Sequence, residues 1–363
     1  MTAEQDRADA GTGTDTGPLH RADEALTRRG FTTRRLRLRA AAVLVAVAAG
    51  ISGVLLYNLT NVLGPDTVCG GAATADEVHA ALGPGRISEE KSEGWSPGAY
   101  DGTGGTCTAK VSYGLFGPTG RSASFALALT QDDIAPPTAP DARLFSGGST
   151  GAVLASRAWA LLPDGCPKAM RAEIRLPGSD DTTDDRPEGM AALAVAFANA
   201  AAEGKGCGSK LPAPSGLSAA AAPQSADLGN VCGLPGMAPA RDEKAGDGYR
   251  QTVTAGYAPV WSCVLVSPAG GSTVAAFTIT TDPRVTGLDP QEARTEAYGR
   301  ARWIGSSGEN AVATCQGKPT YFHLDRKYIT GVGGSGLFPD AQDLWRQFLT
   351  AGGKAVGCEP ILP

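Results

Sequence analysis

The chain has 363 residues, eight cysteines, 6% aromatic residues and a formal net charge of −5. That length allows two or three domains. The acidic balance excludes the broad basic surface that nucleic-acid binding needs.

Residues 1–39 carry eight arginines and six acids and almost no large apolar residue before Phe31. They cannot bury a core and read as a disordered, basic cytoplasmic tail. Residues 40–63 (AAAVLVAVAAGISGVLLYNLTNVL) contain no charge. A hydrocarbon core of about 30 Å needs roughly 20 such residues in a helix. Arg28, Arg29, Arg34, Arg35, Arg37 and Arg39 precede this segment, and the next basic residue after it is Arg86. The asymmetry predicts a single-pass signal-anchor with a cytoplasmic N-terminus and extracytoplasmic C-terminal domains. The arginines also suit anionic head groups. Ala46-Val47-Ala48 imitates a signal-peptidase site, but the apolar run continues well past it. Thr27-Arg28-Arg29-Gly30-Phe31 imitates part of a twin-arginine signal, but the apolar core starts too far downstream.

All eight cysteines follow the apolar segment, as an oxidising compartment predicts. They form two groups, Cys69, Cys107, Cys166, Cys207 and Cys232, Cys263, Cys315, Cys358, with successive spacings of 38, 59, 41 and 31, 52, 43. Val68-Cys69-Gly70 matches Val231-Cys232-Gly233, and Ser156-Arg157-Ala158-Trp159 matches Arg300-Ala301-Arg302-Trp303. This reads as an internal duplication. The first domain takes residues 65–207, a linker rich in Ala, Pro and Ser takes 208–229, and the second domain takes 230–363. The linker reads as an exposed tether.

Within the first copy, Thr74 to Leu82 has a Thr N-cap and Glu77 at N3, a capping-box pattern. Thr106–Tyr113 and Arg121–Gln131 alternate as the strands of a hairpin, with Trp261–Ser267 and Gly271–Thr281 as the counterpart. A helix is expected before Trp159, and another from about Pro290 before Trp303. Lys168–Leu176 and Pro319–Leu324 read as further strands. Pro-led helices close each copy, from Pro187 to Glu203 and from Pro339 to Gly353. The fold class is therefore α+β: two tandem disulfide-stapled domains, each an antiparallel sheet with helices on one side, after one transmembrane helix. Four cysteines allow three pairings per copy. The favoured set is Cys69–Cys107, Cys166–Cys207, Cys232–Cys263 and Cys315–Cys358, which ties the first segment to the hairpin and the last helix to the sheet.

The run from Cys69 to Gly83, a cysteine followed by a Thr-x-x-Glu-Val helix and a Leu-Gly stop, is similar to the opening of actinobacterial cell-envelope domains of unknown function, the DUF3558-like family. The resemblance covers about 45 residues of the first copy. It implies an envelope location and no particular chemistry.

Motifs with catalytic associations are few. Gly147-Gly148-Ser149-Thr150-Gly151 fits the nucleophile-elbow pattern, which needs a strand-to-helix turn and a downstream acid and histidine. The downstream histidine, His323, lies in the other copy. Gly331-Val332-Gly333-Gly334-Ser335-Gly336 fits a dinucleotide-binding glycine pattern but lacks a βαβ context. Asp180, Asp181, Asp184 and Asp185 would suit a hard cation, though not at EF-hand spacing, and a solvated loop is the simpler reading. His79 and His323 occupy unmatched positions, so a zinc site is not expected. Trp159 and Trp303 read as core residues. No cofactor, metal or catalytic residue is expected. The sequence therefore points to a membrane-anchored binding or interaction protein of the bacterial envelope, with a protein or small-molecule partner. The alternatives are a structural or regulatory subunit of a membrane complex and an envelope serine hydrolase using Ser149.

Overall fold

The computed structural model describes residues 34–99, 105–113, 119–129, 142–146, 148–166, 170–178, 186–218, 221–238, 248–254, 259–268, 273–282, 297–303, 310–325 and 340–362, with Ala25, Thr27, Arg28, Gly256, Arg284 and Phe338. Most of the expected tail, the Asp180–Asp185 run and the Gly331–Gly336 motif lie outside them. The chain divides into two compact units, 1–57 and 58–363.

In the first unit, helix α1 (Arg34–Leu59) runs for 26 residues. Its Leu38–Tyr57 stretch is long and apolar enough to cross a membrane, and none of that stretch is buried. At about 1.5 Å per residue, twenty residues match a hydrocarbon core of about 30 Å. The helix starts six residues before the expected Ala40, because Arg and Leu are good helix formers. It also stops four residues short of Leu63, where Asn61 opens a turn.

The second unit holds a two-stranded ribbon, β1 (Thr67–Val68) with β2 (Ala73–Thr74), and two large antiparallel sheets. The first sheet contains β3 (Arg86–Lys91), β4 (Cys107–Tyr113), β5 (Thr119–Leu129), β6 (Arg143–Phe145), β7 (Gly151–Leu154), β8 (Arg157–Leu161) and β9 (Met170–Arg175). Its strand order is β3-β4-β5-β9-β8-β7-β6. The second sheet contains β10 (Gln224–Ser225), β11 (Arg250–Val253), β12 (Val260–Val266), β13 (Thr273–Thr280), β14 (Ala297–Tyr298), β15 (Ala301–Trp303), β16 (Asn310–Cys315) and β17 (Lys318–Asp325). Its order is β10-β11-β12-β13-β17-β16-β15-β14. With β10 set aside, the two orders are the same, strand for strand.

Each sheet buries one face under a helix. On the first, α3 (Pro187–Lys205) has Pro187 at its start as expected and sinks Met190, Leu193 and Phe197 into the core. Phe197 meets Phe125 edge-on, with centroids 5.4 Å apart. On the second, α4 (Ala341–Ala355) sets Phe348 5.0 Å from Phe277 and 6.0 Å from Phe322. Here Asp340 is the N-cap, accepting from the Gln342 and Asp343 amides. The helix therefore begins at Ala341, later than Pro339, which lies outside the described residues. Short α2 (Ala75–Leu82) has the expected capping box and packs against α3. A Cβ on Gly189 would lie 2.1 Å from the Ala80 carbonyl oxygen, so the two helices approach this closely only over a glycine.

Three expectations differ from the structure. The residues just before Trp159 are strand β7, not a helix, and Ala297–Tyr298 before Trp303 is also strand. The helix expected from Pro290 otherwise lies outside the described residues. The two tryptophans are not equivalent: Trp159 is on β8, whose counterpart by sheet order is β16, whereas Trp303 is on β15, the counterpart of β7. Finally, the linker is not a free tether. Ser215 bridges Ser146, and Ser218 exchanges two hydrogen bonds of 2.8 Å with Leu144, so this stretch lines the β6 edge. Asn199 holds both backbone groups of Leu211. Farther on, β10 covers the β11 edge. Small side chains leave the linker backbone free to pair with exposed edges, which are costly to leave open.

Parts of the helix-free faces of the two sheets are also buried. On the first, Ala152, Leu154, Trp159 and Leu161 cluster with Val260, which comes from the second sheet. Thr150 donates to Asp282 (3.1 Å) and Arg284 donates to the Leu162 carbonyl (3.2 Å), so polar contacts flank the same joint.

Candidate functional site

All four disulfides join the expected cysteines: 69–107, 166–207, 232–263 and 315–358. The first cysteine of each group sits in the left-handed region, Cys69 at φ 54° and Cys232 at φ 63°. Each is held there by a side chain at the same place on the neighbouring strand, β3 or β11. Glu89 accepts from the Cys69 amide, and Gln251 accepts from the Cys232 amide at 2.8 Å. Glu89 pairs with Ala109 and Gln251 with Leu265, each two residues after the second cysteine of its group. These bonds offset a backbone conformation that costs about 1–3 kcal/mol for a non-glycine residue.

Ser149 lies between the antiparallel strands β6 and β7, in a strand-to-strand turn. It is fully buried, and its hydroxyl has no hydrogen-bond partner. A nucleophile elbow needs a strand-to-helix turn, an exposed hydroxyl and a base within hydrogen-bond reach. Among the described residues, none of these is present at Ser149. His323 is engaged elsewhere, its Nδ1 donating to the Asn310 side-chain oxygen at 2.7 Å. His79 Nε2 contacts the Gly85 carbonyl at 2.9 Å and braces the end of α2. The two histidines sit on different elements, His79 on α2 and His323 on β17.

A buried charged cluster centres on Glu173, on the helix-free face of the first sheet. Its carboxylate takes two hydrogen bonds from Arg175 (2.9 and 3.2 Å) and lies near Arg171 (3.6 Å) and Arg157 (3.7 Å). Burial alone would raise its pKa. The Arg175 hydrogen bonds and the three positive charges outweigh that and hold it below the ordinary glutamate value. A carboxylate so engaged is a poor proton acceptor, so the cluster reads as architecture. Among the described residues, one group has the ligand spacing of a metal site, Cys69, Glu89 and Cys107. Its sulfurs are consumed by a disulfide and offer no thiolate.

An open groove of about 550 Å³ runs between the start of α2 and the end of α3. Gly71, Ala72 and Ala200 form parts of its wall, and Glu77, Glu203 and Lys210 supply charge. Glu77 is already committed, accepting from the Thr74 amide (2.7 Å) and hydroxyl (2.9 Å). Asn199, also on the lining, is committed to Leu211. The walls are therefore fixed by bonds internal to the protein, with Glu203 and Lys210 at the rim. The second sheet has a smaller recess of about 380 Å³ beside Cys358, edged by the Arg300–Glu359 ion pair. No described helix stands at the α2 position there, because Leu234-Pro235-Gly236 turns away directly after Cys232.

No family model matches the chain, and neither a curated protein nor a solved structure matches it.

Proposed function

We propose that this chain is a membrane-anchored binding or interaction protein of the bacterial cell envelope, built from a duplicated four-cysteine domain and without catalysis of its own. The observation that carries the reading is the preformed groove between α2 and α3. It is concave, mostly lined by small residues, and braced by the Thr74–Glu77 and Asn199–Leu211 hydrogen bonds. Such a surface accepts a small molecule or an extended segment of a partner without rearrangement. Matching strand order, matching disulfides and the shared support of Cys69 and Cys232 favour duplication. The divergent α2 region gives the binding task to the first copy. The apolar Leu38–Tyr57 helix after an arginine cluster, followed by four disulfides, fits an anchor with an extracytoplasmic C-terminal part. The resemblance of residues 69–83 to DUF3558-like envelope domains points the same way.

The test uses the full chain, tagged and captured from an envelope extract in mild detergent, beside the variant Ala200→Arg, which fills the groove. The expected result is a bound protein or small molecule, read by mass spectrometry, that the variant loses. Equal recovery on both proteins would move the interaction to another surface and favour the structural-subunit alternative. Recovery of nothing on either protein would remove the binding reading.

A further inference from the structure

The segment that follows α1 carries an apolar tip where a polar one is the rule. Asn61 to Gly64 is a tight turn closed by a hydrogen bond of 2.9 Å from the Gly64 amide to the Asn61 carbonyl. The two central positions of such turns favour Pro, Gly, Asn, Asp and Ser, because they project into water. Here they are Val62 and Leu63, 75% and 79% exposed, above every other exposed large apolar side chain among the described residues, those of α1 included.

The turn is firmly held. The Asn61 side chain accepts from the Ile87 amide (3.1 Å) and donates to the Pro65 carbonyl (3.0 Å). Ile87 is a buried residue of β3, so Asn61 fastens the turn to the edge of the first sheet. A Cβ on Gly64 would lie 1.7 Å from the Asn61 side-chain oxygen, so a larger residue at 64 would push the Asn61 side chain out of this clamp. A flexible connector would need neither the clamp nor the glycine.

Chain connectivity narrows what covers the tip. Three links separate Leu59, the last residue of α1, from Val62. At no more than about 3.6 Å per link, Val62 stays within about 11 Å of the helix end. If α1 spans a bilayer, that distance keeps the tip within the head-group and acyl boundary, the depth at which apolar side chains of peripheral segments settle.

We propose that the Asn61–Gly64 turn is a lipid-docking tip, which seats Val62 and Leu63 in the outer leaflet and, through Asn61, fixes the β3 edge of the first sheet at the membrane surface. The inference rests on the reading of α1 as a membrane anchor. Its occupant is the lipid acyl region, not a partner protein.

The experiment uses the full chain reconstituted in phosphatidylcholine–phosphatidylglycerol vesicles. All eight native cysteines are in disulfides, so single cysteines introduced by Leu63→Cys, Ser88→Cys or Ala48→Cys accept an environment-sensitive fluorophore selectively. Ser88 is an exposed position on β3 and serves as the aqueous reference. The expected result at position 63 is blue-shifted emission, quenched by a nitroxide placed shallow on the acyl chain. Position 88 should keep water-like emission, and position 48 should be quenched by a deep nitroxide. Deep quenching at 48 with water-like emission at 63 would overturn the docking tip and leave the anchor standing. Blue-shifted emission at 63 without nitroxide quenching would assign the tip to a protein surface and overturn the proposal. Loss of quenching at 48 would overturn the anchor and the tip together.

Discussion

Glu173 and His323 hold the same position in the two sheets. Glu173 pairs with Ala126 on one side and Trp159 on the other, and His323 pairs with Thr278 and Asn310 across the corresponding strands. Both are buried on helix-free faces. One sheet places a carboxylate among arginines there, and the other places an imidazole against an amide. The strand frame is the same in both sheets, and the polar centre of the face differs.

Replacing Glu173 with Gln should destabilise the fold by about 3 kcal/mol, the lower end for one partner of a buried ion pair, because Arg175 and Arg157 reach solvent. Arg171, only 4% exposed, loses the Glu173 carboxylate that lies 3.6 Å from its Nε. Folding lowers the Glu173 pKa beneath its unfolded value of about 4.3. Its contribution is therefore complete above that value and disappears as pH falls through the folded value. Urea midpoints measured between neutral and acidic pH should converge for the parent and Glu173→Gln proteins at the acid end. Parallel curves would remove the ionised carboxylate from the account.

Ser149→Ala should be neutral or stabilising by about 1 kcal/mol, because it deletes a buried hydroxyl without a hydrogen-bond partner. Thermal and urea melts give the sign. A loss above about 1 kcal/mol would mean that the hydroxyl is bonded in solution.

Asn199→Ala breaks two hydrogen bonds to Leu211, worth about 1 kcal/mol each. The linker should then peel away from the first sheet. Limited proteolysis should cut between residues 209 and 218 faster in the variant while the two sheets stay intact. Unchanged cutting would mean that the Ser218–Leu144 pairing alone holds the linker.

The disulfides should reduce in an order set by access. Cys69, Cys107, Cys232 and Cys263 are at most 2% exposed, whereas Cys166, Cys207 and Cys358 are only partly covered. Thiolate attack needs access to sulfur. A reductant titration followed by alkylation and peptide mapping should open 166–207 and 315–358 before the other two. Loss of the Cys69–Cys107 bridge should cost about 4 kcal/mol in the chain-entropy model for its 38-residue loop.

The features legible in the sequence were local ones. The Thr74–Glu77 capping box, Pro187 at the head of α3 and the alternation from Cys107 to Tyr113 each declare an element within a few residues. The cysteine order anticipated the pairing, because each bond joins successive cysteines within one group of four. The Trp159–Trp303 match failed because Ser156-Arg157-Ala158-Trp159 and Arg300-Ala301-Arg302-Trp303 share only a short likeness and sheet order is set by longer-range pairing; Asn310 stands where Trp159 does. Arg171, Glu173 and Arg175 alternate with apolar residues in the manner of a strand with one face in water. Only the approach of the second sheet near Trp159, through Val260, shows that this face lies at a joint. The linker's composition disguised its docking, since backbone pairing leaves little trace in side chains. The groove arises from α2 and α3 meeting across more than a hundred residues of sequence, a distance no motif spans.

The linker pairings have a further consequence if α1 anchors the chain as proposed. Copies anchored in that way would diffuse in two dimensions and meet repeatedly in one orientation, conditions that favour strand exchange between neighbours. Residues 215–218 cap the β6 border and β10 caps the β11 border, while β3 presents Arg86, Glu89, Glu90 and Lys91 along its length. A neighbouring copy finds these borders either occupied or charged. The segment between the two sheets thus acts as a seam that keeps each copy discrete among its own kind.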